Sequence, residues 1–143
     1  MPLVPAVLLD GLVQMFRKGA GSEPEAAEAW AAAFRKFMEP LAIPPPVNGA
    51  RHVLAEAAMR GALAGMSVPG MALVKLQTGL SAYVGVIAVN SAPIAVPPPP
   101  VVLPALPPVS DPVAAASALT SVIAPWVLTG TWTVPPAPPV PWL

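Results

Sequence analysis

Hydrophobic and polar positions follow a helical period through most of the chain up to Val89. Val7, Leu8, Leu12, Met15 and Phe16 recur at three- and four-residue spacing and predict an amphipathic helix from Pro5 to Lys18. Gly19-Ala20-Gly21 stops it. Ser22 then opens a second helix as N-cap. Glu23, Glu25 and Glu28 place negative charge where the helix dipole favours it. Pro24 is tolerated because first-turn N–H groups have no intrahelical partner. Trp30, Phe34, Phe37 and Met38 form the apolar stripe of this helix, Arg35 and Lys36 occupy its last turns, and Pro40 ends it.

A stiff connector with Pro44-Pro45-Pro46 follows. Asn48 caps a third helix, about Gly49 to Met66. Its expected packing face is small and aliphatic: Val53, Leu54, Ala57, Ala58, Gly61, Ala62 and Gly65. Pro69 starts a fourth helix with Leu73, Leu76, Leu80 and Tyr83 or Val84 in register, running to about Val89. The β-branched end of that helix, Val84 to Val89, also fits an extended strand.

The period breaks at Ser91 to Val109, where Pro93, Pro97 to Pro100, Pro104, Pro107 and Pro108 forbid a regular helix. Ile94, Val96, Val101, Val102, Leu103 and Leu106 are interleaved with them. A disordered linker is usually polar, so this segment reads as an extended arm lying on an apolar groove. Ser110-Asp111-Pro112 is a strong helix start, and the helix continues to Ala124 or Leu128. Thr129-Gly130 turns the chain. Thr131 to Val134 reads as an edge strand, and Pro135 to Leu143 as a polyproline tail. The expected fold is mainly α: a small bundle of four to five helices with an extended proline-rich connector and a C-terminal arm. Its divisions are a helical bundle at 1–90, the connector at 91–109, a C-terminal helix at 110–130 and a tail at 131–143.

Charge changes the picture most. Only Lys75 and Asp111 are charged between Gly61 and Leu143. Charged residues make up 10% of the chain and hydrophobic ones 55%, against about a quarter charged in an ordinary soluble domain. Such a surface is normally covered by other subunits or by lipid. The net charge of zero argues against attraction to nucleic acid or anionic lipid and favours self-association. There is no cysteine, which excludes disulfide frameworks and thiolate metal sites. The N-terminal apolar run contains Asp10, and its basic residues come after it, the reverse of a secretory signal. Synthesis in the cytoplasm is the expectation. Leu76 to Val89 and Pro112 to Leu128 are the two windows to weigh as membrane spans. The first is short for a span of ~17–25 residues and the second is near the lower limit, and neither has a flanking Lys/Arg cluster.

Catalytic chemistry finds few residues to use. The one histidine, His52, falls beside Arg51 and Glu56 on what reads as the polar side of the third helix. A solvated or hydrogen-bonded role is expected for it, since a metal site needs several convergent ligands. The acidic residues Glu23, Glu25 and Glu28 are accounted for by the helix start. No serine sits in a nucleophile-elbow context and there is no phosphate-binding glycine loop. No catalytic residue, metal or cofactor is therefore expected. Gly61 and Gly65 have small-xxx-small spacing, a weak signal for close helix packing. Three of the four tryptophans, Trp126, Trp132 and Trp142, lie near the C-terminus, where they serve as interface anchors, as closure of the chain's own core, or as both at once. They are the interface candidates, together with Val101, Leu103 and Leu106 of the arm.

The stretch Ile123, Trp126, Thr129-Gly130-Thr131, followed by a closing Pro141-Trp142, resembles an I-x-x-W-x-x-T-G-T…P-W pattern in small virion-associated structural proteins of large tailed bacteriophages. The early amphipathic helix and the helix bearing Trp30 and Phe37 are similar as well. Pro125, and the apolar Val127-Leu128 in place of a polar residue, depart from the pattern. The resemblance implies a noncatalytic role in a tail, neck, baseplate or capsid. The protein would be made in the host cytoplasm and would partner with copies of itself and other virion proteins, with neither nucleic acid nor membrane required. On this reading, deleting Pro135 to Leu143 abolishes assembly but spares helicity. The alternatives are a small membrane-associated helical hairpin and an extracellular filament subunit.

Overall fold

The caps that the sequence supplies set the helix boundaries. In the computed structural model, which describes residues 3–19, 21–41, 49–66, 71–88, 94–103, 111–133 and 136–142, α1 spans Pro5–Lys18. It starts on a proline and closes with Gly19 at φ 70°, whose N–H donates to Met15 O. In α2 (Glu23–Met38), Ser22 Oγ accepts from Glu25 N at 3.3 Å, and Glu25 Oε2 accepts from Gly21 N at 2.9 Å. The two bonds satisfy donors at the helix start that have no intrahelical partner. α3 spans Gly49–Ala62 and α4 spans Ala72–Ala88. Thus α3 stops short of the expected Met66, and Val84 to Ala88 are helical, not extended. In α5 (Pro112–Val127), Asp111 Oδ1 accepts from Ala114 N at 3.1 Å. The helix carries Pro125 in its final turn and unwinds through i+3 bonds, Leu128 N to Pro125 O and Thr129 N to Trp126 O.

The helices pack in the order α5, α1, α2, α3, α4, each against the next. Leu8 and Leu12 of α1 and Trp30, Phe34, Phe37 and Met38 of α2 fill the centre. Phe16 meets Trp30 edge to face at 5.8 Å, and Phe34 meets Tyr83 of α4 at 5.0 Å. Residues 97–103 then run between the two end helices. Trp126 Nε1 of α5 donates to Pro99 O at 2.6 Å, and Leu103 N donates to Gln77 Oε1 of α4 at 2.9 Å. Pro98, Val101 and Leu103 are buried along it. The arm expected to lie on an apolar groove therefore does so on its own chain over this stretch. Leu106 and the rest of the connector lie outside the described residues.

A three-stranded antiparallel sheet was not expected. It comprises β1 (Ile94–Val96), β2 (Thr131–Thr133) and β3 (Val140–Pro141), in the order β1-β2-β3. Ala95 pairs with Trp132, and Trp132 with Val140. The strand at Thr131 is thus central, where an edge strand was expected. The tail folds back on it: Trp142 N donates to Gly130 O at 2.9 Å and Trp142 Nε1 to Thr131 O at 3.1 Å. Pro141 sits on an outer strand, where its missing N–H breaks no ladder.

Candidate functional site

The orientation of α3 is the feature with functional content. Its buried side chains are His52, Ala55 and Met59, with Leu63 continuing the line beyond the helix end. Of the residues expected to pack, Val53, Leu54, Ala57 and Gly61 face outward, whereas Ala58, Ala62 and Gly65 are half-buried. Leu54 is 64% exposed and Val53 50%. Among the described residues, a Cβ on Gly61 would meet nothing within 4 Å beyond its chain neighbours and its own helix backbone. The buried line of α3 is thus displaced from the expected face, which keeps only its Ala58 and Ala62 edge part-buried.

Specific partners on the neighbouring helices hold α3 this way round. Gly79 of α4 lets Met59 and Leu63 settle against its backbone, since a Cβ there would lie 3.0 Å from Leu63 Cδ2. His52 Nδ1 is 2.7 Å from the Tyr83 hydroxyl, and both residues are buried. Arg51 Nη1 donates to Ile87 O at 3.3 Å. Arg35 of α2 donates through Nη1 to Glu56 Oε2 at 3.1 Å. Arg35 Nε lies 3.2 Å from Glu39 Oε1, within ion-pair reach but not aligned to donate. Arg60 completes the group at 3.7 Å from Glu56. At the far end of α3, Glu23 Oε1 accepts from Gly65 N at 2.6 Å, where Gly65 has φ 88° and glycine avoids the Cβ penalty. Glu23 thus pins a turn as well as favouring its own helix dipole.

The electrostatics follow from burial. Desolvation lowers the pKa of His52, with Glu39 opposing and Arg35 reinforcing the shift. Burial raises that of Tyr83. The hydrogen bond to Glu56 is the main reason the guanidinium of Arg35 is held more firmly protonated than usual. His52, expected on the polar side of its helix as a solvated or hydrogen-bonded residue, is hydrogen-bonded but inside the core, as a neutral imidazole. Among the described residues, no three His, Cys, Asp or Glu side chains gather to hold a metal ion.

The other candidates among the described residues lie in the chain's own core or close to it. Trp142 is completely buried, and Trp126, Val101 and Leu103 are buried as well. Trp132 is half-buried on the central strand. The Trp142 indole packs so closely on Gly130 that a Cβ at that position would lie 2.6 Å from its ring. Of the two roles open to the tryptophans, Trp126 and Trp142 fill core closure. Deleting Pro135 to Leu143 would therefore also take the buried Trp142 out of the core. A second apolar feature lies between α1 and α5: a groove of about 300 Å³ lined by Leu3, Pro5, Phe37, Ala124, Pro125 and Leu128. Among the described residues, no helix is long and apolar enough to cross a membrane. Comparison of the chain with protein-family models, curated proteins and solved structures yields no match.

Proposed function

We propose that this chain is a noncatalytic structural subunit of a bacteriophage virion, the role implied by its Ile123-to-Thr131 and Pro141-Trp142 pattern, and that the outward face of α3 is where it meets its neighbours. One observation carries the reading. The helix buries His52, Ala55 and Met59, half-buries Arg51 and Glu56, and leaves Val53, Leu54, Ala57 and Gly61 in solvent beside the exposed Arg60. Exposed aliphatics are ordinary when scattered. Here they follow one helical stripe beside a smooth glycine, a surface suited to close approach by another apolar element. Fully burying a leucine contributes about 1.5–3 kcal/mol. With most of its surface still exposed, Leu54 retains roughly 1–2 kcal/mol of that for an interface.

Sedimentation velocity on the purified protein tests the proposal. The wild type is expected to associate as its concentration rises, and Leu54→Glu to shift it toward monomer by at least tenfold in concentration with an unchanged circular dichroism spectrum. A wild type that stays monomeric throughout, or a Leu54→Glu variant that associates equally well, would contradict the reading.

A further inference from the structure

We propose that His52 is an acid-sensitive latch: its neutral imidazole keeps α3 seated against α2 and α4, and proton uptake on that ring unseats the helix. The ring is 2% exposed. Its Nδ1 is paired with the Tyr83 hydroxyl at 2.7 Å, and its Nε2 is buried with no hydrogen-bond partner among the described residues. A neutral imidazole has one donor and one acceptor nitrogen, so either tautomer leaves a single uncharged atom unpaired. In the imidazolium both nitrogens donate, and Nε2 becomes a charged donor buried without an acceptor.

The groups around the ring offer little relief. From α4 it faces Tyr83, whose burial keeps the hydroxyl neutral. From α2 it feels Arg35 and Glu39, which act in opposite directions. On α3 itself, Glu56 is already engaged by Arg35 at 3.1 Å and Arg60 at 3.7 Å, and Arg51 donates to Ile87 O. The same few contacts, Arg35 with Glu56, His52 with Tyr83 and Arg51 with Ile87, are the polar ties that hold α3 in place. A charge introduced among them acts on α3 before it acts on α1 and α5.

The sign follows from linkage. An unfolded histidine takes up its proton as pH falls through ~6.5. The folded ring resists until lower pH. The folding equilibrium constant therefore falls as pH drops below ~6.5, by up to tenfold per pH unit, until the folded ring itself titrates. Ordinary carboxylates titrate near ~4.3, so measurements kept above about pH 5 isolate the imidazole.

The chain has a single histidine, so its ring signal in NMR spectra of the full-length protein is unambiguous. That signal and amide hydrogen exchange, corrected for intrinsic pH dependence, would be followed from about pH 7.5 to about pH 5. The ring is expected to titrate below ~6.5, and amide protection in α3 to fall while α1 and α5 keep theirs. His52→Gln is expected to remove this acid sensitivity. A ring that titrates at the ordinary value with α3 still protected would overturn the proposal. So would simultaneous loss of protection in all five helices, or a folded His52→Gln variant that is equally acid-sensitive.

Discussion

Two glycines in this protein are expected to respond to the same substitution in opposite ways. Gly61 lies within α3 with empty space around it, so Gly61→Ala gains helix propensity without a clash and is expected to stabilise the monomer by about 1 kcal/mol. Gly130 faces the buried indole of Trp142, and a Cβ there would lie 2.6 Å from the ring. Gly130→Ala is expected to cost about 1–3 kcal/mol through overpacking. Urea denaturation of both variants measures the pair, and equal shifts in the same direction would contradict these placements. Such contacts are not legible in a sequence, because they depend on residues far along the chain. His52 makes the same point. Its neighbours Arg51 and Glu56 suggested a polar face, whereas its hydrogen-bond partner is Tyr83 on another helix.

At the scale of elements, local chemistry made α1, α2 and α5 legible. Ser22 and Asp111 cap as their residue types suggest, prolines mark the starts, and the stripe of α2 is the one that packs. The facing of α3 was not legible, because apolar residues occur all round it and the choice is made by Tyr83, Gly79 and Arg35 on other elements. The sheet escaped notice for a related reason. Its strands are short and joined across the length of α5, and its third strand lies in a proline-rich tail. Of that tail, Trp142 belongs to the core, while residues 136–139 are exposed. Trp142→Ala is expected to destabilise the fold by about 3–5 kcal/mol, seen as an earlier urea midpoint in the helical circular dichroism signal. An unchanged midpoint would show that the tail contributes nothing to the fold.

For the molecule as a whole, the charge gap from Gly61 onward has two sources. Part of it is interior: α5, the arm at 97–103 and the closing tryptophan are packed against the bundle. Part is surface among the described residues, including Val74, Val96, Val102, Val113 and Leu128, and it adjoins a fold whose α3 turns aliphatic residues outward. The central claim is that this outward face of α3 is covered in the assembled state. Because the chain has no cysteine, Leu54→Cys gives a single reporter there, and Ser117→Cys gives an exposed control on α5. The most direct measurement is maleimide labelling of each variant in dilute solution and after assembly. Position 54 is expected to react readily when dilute and to become protected on assembly, while position 117 stays reactive in both. Equal reactivity of the two positions in the assembled state would contradict the claim.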